Sequence, residues 1–114
     1  MKDLGIKEAQ QMINKWFDSI GVRHFNELTN LGQLTEEVGE VARIMIRQYG
    51  EQSFKESDTD RDLAEELSDV LFSILCIAEQ TNSDMAGAFR RKMEKRMARD
   101  KERHQNNHQI QKET

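Results

Sequence analysis

The sequence predicts an all-α domain, a four-helix bundle completed by oligomerisation. Its 114 residues contain no proline and only six glycines, and Glu, Lys, Gln, Met, Leu and Ala are abundant, which favours helices. Apolar residues recur at helical spacing in several segments. One segment is apolar on nearly every side, and a monomer of this size would not cover it, so we expect a homo-oligomer.

The first helix is predicted from Ile6 to Ile20, with Gly21 ending it. One apolar stripe runs along it, formed by Ile6, Ala9, Ile13, Trp16, Phe17 and Ile20. A connector of residues 23–27 then leads into the second helix.

The second helix is predicted from Leu28 to Tyr49, and Gly50 closes it. Its apolar stripe consists of Leu31, Leu34, Val38, Val41 and Met45. The following residues, 51–60, are polar and lack periodicity, so we expect a loop that either closes over a ligand or serves only as a surface connection.

Asp58, Thr59 or Asp60 is expected to cap the third helix, which runs to Gln80. Its centre, residues 70–78, is the segment that is apolar on nearly every side. Ser83 is the expected N-cap of a fourth helix over residues 84–103. Residues 1–103 are therefore predicted to form a single domain, and residues 104–114 a polar C-terminal tail.

The overall charge and the apolar runs exclude several classes of protein. A net charge of −4 argues against binding to a nucleic acid polymer. The longest apolar stretch, residues 70–78, is too short to span a bilayer, and the N-terminus lacks the apolar run of a signal peptide. We therefore expect a cytoplasmic protein without a membrane partner. The single cysteine, Cys76, fits a packing role.

Two acidic clusters, Glu36-Glu37-x-x-Glu40 and Glu66-x-x-Asp69, are the most informative feature of the chain. Glu37 and Glu40 lie about 60° apart on a helix, and Ile44 falls between them one turn later. Glu66 and Asp69 repeat this pattern, since Cys76 and Ile77 continue their face. The acidic pairs thus share a face with apolar residues.

Carboxylates that point toward a core cost several kcal/mol each unless they are protonated or paired. Two such pairs on neighbouring antiparallel helices can converge on one point, where a divalent cation would relieve their repulsion. Ligands that are all oxygen favour magnesium, manganese or calcium. The alternative is that the acids are solvated surface residues.

The predicted fourth helix has a cationic face made of Lys92, Arg96, Arg99 and Arg103, with Lys95 beside it. This face is either solvated or suited to capturing phosphate. A carboxylate cluster and a basic stripe in one small domain together fit a polyphosphate ligand, whose oxygens bridge a metal ion and Arg or Lys.

The strings LTEEVGEVAR at residues 34–43 and EELSDVLF at residues 65–72 closely resemble the EExxE…ExxD signature of MazG-like nucleotide pyrophosphohydrolases. The resemblance is strongest over residues 12–103. It implies an all-α fold, assembly as a dimer or tetramer, and Mg²⁺-dependent hydrolysis of a nucleoside triphosphate to the monophosphate and pyrophosphate. Mn²⁺ is a plausible substitute ion, and removal of non-canonical nucleotides is one role such enzymes perform.

The resemblance also implies roles for individual residues. The metal ligands would be Glu37, Glu40, Glu66 and Asp69. Glu36, with Glu37, would act in catalysis by orienting or deprotonating the attacking water, although its helical angle also fits a surface acid. Phosphate contacts would come from Lys92, Lys95, Arg96 and Arg99. Base or sugar contacts would come from Trp16, Phe25 and Asn30. The alternatives are a core role for the two aromatic residues and an exposed polar position near a helix start for Asn30.

Two alternatives remain open at this stage. Phosphoribosyl-ATP pyrophosphohydrolase shares the motif and the fold. A non-catalytic helical dimerisation or metal-binding module would use the acids only to stabilise an oligomer.

Overall fold

The computed structural model describes residues 3–51 and 62–112, and within these ranges it contains helices and no strand. The four α-helices are α1 (Ile6–Ile20), α2 (Glu27–Tyr49), α3 (Leu63–Gln80) and α4 (Met85–Gln105), followed by a 3₁₀ helix at His108–Ile110. The predicted all-α fold with four helices is confirmed. Its completion by oligomerisation stays a prediction.

Helix α1 begins and ends at the expected residues. Gly21 follows it with a φ of 69°, in the left-handed region, and its N–H donates to the Asp18 carbonyl. Glycine adopts this conformation without steric cost, because it lacks a Cβ atom. The chain can therefore turn sharply into the connector before α2.

Helix α2 begins one residue earlier than predicted, because Asn26 caps it. The Asn26 side chain accepts a hydrogen bond from the backbone N–H of Thr29 at 2.8 Å. At the other end, the N–H of Gly50 donates to the Ile46 carbonyl at 2.8 Å. The end at Tyr49 is as expected.

The cap predicted for α4 was wrong by one residue. Asp84, and not Ser83, accepts the hydrogen bond from the backbone N–H of Gly87, at 3.1 Å. Ser83 is engaged elsewhere: its hydroxyl lies 2.8 Å from the Thr81 hydroxyl, and its carbonyl accepts from the Gln10 side chain. Helix α4 accordingly runs from Met85 to Gln105.

Helix α3 is capped by Asp62, whose side chain accepts from the N–H of Ala64 at 2.9 Å. The expected caps at positions 58–60 lie outside the described residues, as does nearly all of the predicted loop at 51–60. The boundary between a domain at 1–103 and a tail at 104–114 stays a prediction.

The chain divides into two compact units, one ending at Ser83 and the other beginning at Asp84. In the first unit, α1 and α2 both pack against α3. Its core is small, and Ile44 is completely buried. The buried apolar residues are Ile13, Ile44, Leu75, Cys76 and Ala78.

The face that α2 buries is not its most apolar one. Leu31, Val38 and Met45, from the predicted stripe, are 53%, 49% and 44% exposed in the single chain. The buried residues of α2 are Asn30 and Ile44. The acidic pair therefore lies on the side of the helix that packs inside the unit, as its relation to Ile44 indicated.

Among the helices that the structure describes, none is both long enough and apolar enough to cross a bilayer.

Candidate functional site

Three carboxylates from α2 and α3 converge in the first unit. One oxygen from each of Glu37, Glu66 and Asp69 can be chosen so that all three lie within 4.8 Å of one another. Glu66 is 8% exposed, Glu37 is half-buried and Asp69 is exposed. Because residues three apart share a helical face, the packing of α2 on α3 brings Glu37 opposite the Glu66 and Asp69 pair. We call these three residues the acidic cluster.

Burial and neighbouring negative charges disfavour the ionised form of Glu37 in the acidic cluster. The pKa of Glu37 is raised above its ordinary value, first by burial and then by the negative charges of Asp69, Glu66, Glu40 and Glu36. All five effects disfavour the charged form of Glu37. The site therefore favours whatever supplies positive charge, either a proton or a cation.

Glu40, the fourth predicted ligand, has a cationic neighbour on its own helix. Its carboxylate accepts a hydrogen bond from the Arg43 guanidinium at 2.8 Å, and both side chains are partly buried. Its charge still contributes to raising the pKa of Glu37, so it lies near the acidic cluster. Glu36 is exposed on α2, in agreement with its helical angle.

The predicted phosphate-binding residues lie on α4, in the second unit. Lys92, Lys95 and Arg96 are exposed. Arg99 instead donates two hydrogen bonds to Asp100, at 2.9 and 3.1 Å. This pairing holds the pKa of Asp100 below its usual value and raises that of Arg99. Arg103 adds a second ion pair to Asp100 at 3.4 Å.

A cavity of about 320 Å³ opens between α1, the connector, α2 and α3. It is mainly apolar and aromatic, with a few polar groups among its walls. The residues that line it are Phe17, Val22, Arg23, His24, Phe25, Asn30, Gln33, Phe72 and Cys76. Burial raises the pKa of the Cys76 thiol to about 11, so this part of the wall is neutral at physiological pH.

Two of the three predicted base or sugar contacts, Phe25 and Asn30, line this cavity. Trp16 packs instead against the rings of Phe17 and Phe72, with centroid distances of 5.1 and 6.4 Å. It is still half exposed, at 51%.

Sequence reasoning missed most of the other cavity residues. Phe17 and His24 meet edge to face, with ring centroids 4.4 Å apart. The sequence nevertheless contains a spacing that could have predicted two of the cavity residues. Gln33 precedes Glu37 by four residues, and Cys76 follows Asp69 by seven. Those spacings place the residues on the same helical faces as the acids.

A network of amide hydrogen bonds ties the connector to α2 and α3. The Nδ2 of Asn30 donates to Gln80 Oε1 at 2.9 Å and to the Phe25 carbonyl at 3.3 Å. The Nε2 of Gln80 donates to the same Phe25 carbonyl. The polar end of the cavity is therefore held by side chains from two helices.

Comparison with known proteins assigns this arrangement to a family. Residues 25–104 match the model of the MazG nucleotide pyrophosphohydrolase domain, and they include every member of the acidic cluster. The chain belongs to the MazG nucleotide pyrophosphohydrolase family. The expectation that it is a hydrolase of this kind is confirmed.

The MazG assignment is supported by individual relatives. The uncharacterised protein YpjD of Bacillus subtilis is 34% identical over 103 residues, which is 90% of this chain and 93% of YpjD. A crystal structure of B. subtilis YPJD, described there as a proposed pyrophosphatase, has a TM-score of 0.75 at 31% identity and covers 88% of this chain and 100% of that one.

A second solved structure is the Bacillus-conserved MazG protein, a nucleotide pyrophosphohydrolase. It has a TM-score of 0.73 at 33% identity, over 90% of this chain and 99% of that one. The similarity thus extends beyond the matched domain into α1, which supplies Phe17 to the cavity.

Proposed function

We propose that this MazG-family chain hydrolyses a nucleoside or deoxynucleoside triphosphate to the monophosphate and pyrophosphate, with Mg²⁺ as its cofactor. The observation that carries the proposal is the convergence of Glu37, Glu66 and Asp69 from two helices in a chain of this family. Family membership supplies the reaction class, and the acidic cluster supplies a place for the cation.

The acidic cluster fits a hard divalent ion. Its donors are all carboxylate oxygens, and the pKa of Glu37 is raised by burial and by the negative charges of the neighbouring carboxylates. Glu37, Glu66 and Asp69 would hold Mg²⁺, with Glu40 as a further ligand, and Mn²⁺ could replace it because it accepts the same donors. The bound ion would neutralise charge on the phosphates and favour deprotonation of the attacking water.

The chain's own residues would position the reactants. We assign Glu36 to orienting or deprotonating the water, since it is exposed and lies next to Glu37. The water oxygen attacks the α-phosphorus, the bond from that phosphorus to the bridging oxygen breaks, and pyrophosphate leaves. A water proton is accepted by a carboxylate before release to solvent. Alignment of the two reactants supplies much of the rate enhancement in such a reaction.

Phosphate contacts are assigned to Lys92, Lys95 and Arg96, which are exposed cations on α4. Arg99 belongs to the predicted set as well, but its guanidinium is already bonded to Asp100. We expect it to act mainly by positioning within α4. The lysines would contribute more directly to charge balance on the leaving pyrophosphate.

The nucleoside is assigned to the cavity that Phe25 and Asn30 line. Its aromatic and apolar walls suit the faces of a base ring, and its few polar groups suit a base edge. We also assign a base or sugar contact to Trp16, because it packs on Phe17 and Phe72 in the cavity wall.

The active form is proposed to be a homo-oligomer, either a dimer or a tetramer. Leu31, Val38 and Met45 form an exposed apolar row on α2, and Leu67 and Leu71 are about half exposed on α3. Apolar surface of this extent on two adjacent helices favours association with a second copy.

We also propose that the protein is cytoplasmic.

A panel of nucleotides incubated with Mg²⁺ tests this function. The panel should include canonical and damaged nucleoside triphosphates and phosphoribosyl-ATP, with products separated by ion-exchange chromatography. We expect a monophosphate and pyrophosphate from a triphosphate. Release of a diphosphate and phosphate, or no turnover of any compound, would contradict the proposal, and selective turnover of phosphoribosyl-ATP would redirect it.

A further inference from the structure

The orientation of the Asn30 amide determines what it can offer to a ligand. Asn30 lines the cavity and is only 7% exposed. Its Nδ2 donates to Gln80 Oε1 at 2.9 Å and to the Phe25 carbonyl at 3.3 Å, which uses both of its hydrogens. No donor among the described residues reaches its Oδ1.

The Phe25 carbonyl fixes the direction of this network, because a carbonyl oxygen can only accept hydrogen bonds. Gln80 must therefore present its Nε2 to that carbonyl, and this leaves its Oε1 to face Asn30. Rotating either amide by 180° would bring two donors or two acceptors together. Asn30, which lines the cavity, consequently keeps its Oδ1 as an acceptor that no donor among the described residues occupies.

The cavity lies along the same helical faces as the acidic cluster. Asn30 precedes Glu37 by seven residues on α2, which is two turns, a rise of about 10 Å and an angular offset of about 20°. Cys76 follows Asp69 by the same interval on α3. A ligand with phosphates at the acidic cluster would therefore extend its nucleoside toward Asn30.

We propose that Asn30 is a specificity-determining residue that requires an N–H donor on the nucleobase, such as the exocyclic amino group of adenine or cytosine or the ring N–H of uracil, thymine or guanine. This inference rests on the proposed function for the placement of the phosphates. The acceptor Oδ1 pairs with the donor of the base, while a base without a donor leaves Oδ1 buried and unpaired. Sites built in this way discriminate strongly against analogues that lack the partner group.

Pairs of nucleoside 5′-monophosphates that differ by one amino group provide the test. Adenosine monophosphate is compared with purine riboside monophosphate, and cytidine monophosphate with pyrimidin-2-one riboside monophosphate, by titration calorimetry in Mg²⁺. The amino compound of each pair should bind roughly tenfold more tightly or better. Equal affinities within both pairs would overturn the proposal.

Gln80→Met tests whether the network itself sets this preference. Removing Gln80 frees one hydrogen of Asn30 Nδ2 and leaves only the 3.3 Å bond to the Phe25 carbonyl to orient the amide, so the preference for the amino compound should weaken. The affinity ratio within each pair should then fall below about threefold, while the amino compounds still bind. A matched substitution on the exposed face of α1, Gln11→Met, should keep the original ratio. A ratio unchanged by Gln80→Met would remove Gln80 from the mechanism.

Asn30→Leu removes the acceptor directly and should also equalise the pairs, but it breaks a buried network and is the variant more prone to unfolding. Gln80→Met keeps the test decisive in that case.

These experiments separate the inference from the proposed reaction, because monophosphates contain no anhydride bond to hydrolyse. Discrimination among monophosphates without turnover of any triphosphate would support the cavity's specificity and contradict the reaction. Turnover of triphosphates with no monophosphate binding at millimolar concentration would contradict the specificity and leave the reaction standing.

Discussion

Burial and the charges of four neighbouring carboxylates act on Glu37 in the same direction. Each raises its pKa, so the folded chain holds a proton on Glu37 more tightly than the unfolded chain does. In the absence of a cation, this tighter binding makes the free energy of unfolding depend on pH.

The sign of that dependence follows from the direction of the shift. Below the ordinary pKa of 4.5, Glu37 is protonated in both states and imposes no penalty. As pH rises through 4.5 and then through the raised pKa, the folded state must ionise a disfavoured group, so stability is lost. We expect the Glu37 contribution to unfolding free energy to decrease over this window in EDTA, as measured by urea denaturation.

Glu37→Gln isolates this contribution from those of other acids. The variant cannot ionise at this position, so the difference in stability between it and the wild type should shift in the variant's favour as pH rises. Addition of Mg²⁺ at neutral pH should stabilise the wild type more than the variant. A stability difference that stays constant across the pH range would contradict the raised pKa of Glu37.

Asp69→Asn should remove a ligand while preserving the shape of the side chain. We expect turnover of the best triphosphate substrate to fall at least about a hundredfold, because loss of even a supporting group at a metal site commonly costs 10- to 100-fold. Helicity should be unchanged by circular dichroism. The measurement is initial rate against Mg²⁺ concentration.

Glu65→Gln is the matched control for Asp69→Asn. Glu65 lies on the same helix and is exposed, and it is outside the acidic cluster. It should retain nearly full activity. Equal losses in the two variants would mean that the general charge of α3 matters, and no loss in either would remove Asp69 from the proposed ligands.

Helix α2 shows which structural features the sequence predicts and which it does not. Its C-terminal end at Tyr49 was predictable from local chemistry, because helix-ending signals such as Gly50 are short-range properties. The Asn26 cap was not predicted, and the helix begins one residue earlier than expected for that reason.

The face of α2 that is buried was harder to predict from the sequence. The apolar row of Leu31, Val38 and Met45 is one residue away from the row of Asn30, Glu37 and Ile44, and composition alone favours the first row.

Tertiary packing reverses that preference, since α2 packs on α3 and its buried residues are Asn30 and Ile44. The acidic pair predicted the buried face correctly. Ile44 lies between Glu37 and Glu40 in helical angle, and it is completely buried. The acidic pair therefore predicted the buried face of α2 better than the apolar row did.

The cavity could not be predicted in the same way. It combines residues from α1, the connector, α2 and α3, and no single periodicity links those segments. Its key polar contact joins Asn30 to Gln80, fifty positions away in sequence. Only the packing of the helices reveals that pairing.

The N-terminus of α4 offers a test of a cap that sequence reasoning placed one residue too early. Asp84→Ala removes the side chain that accepts from Gly87 and should destabilise the chain by about 1 kcal/mol. Ser83→Ala, which leaves that bond intact, should cost less. Urea denaturation of both variants decides the point, and a larger cost for Ser83→Ala would contradict the structural assignment of the cap.

Within residues 3–51 and 62–112, exposed large apolar side chains outnumber the five buried apolar residues. Trp16, Leu31, Val38, Met45 and Leu71 are each more than 40% exposed. They come from three different helices of the first unit. This distribution fits a fold whose hydrophobic surface is completed between copies of the chain.

Met45→Glu tests that assembly on the exposed row of α2, eight residues away from Glu37. Burying an unpaired carboxylate in an apolar interface should weaken association by at least about a hundredfold. Sedimentation velocity should therefore show a smaller species at micromolar concentration, with helicity preserved. Ile110→Glu places the same charge on an exposed apolar residue of the 3₁₀ helix and should leave the sedimentation profile unchanged. An unaltered profile for Met45→Glu would place the interface on another face, and a monomeric wild type would contradict the proposed oligomer itself.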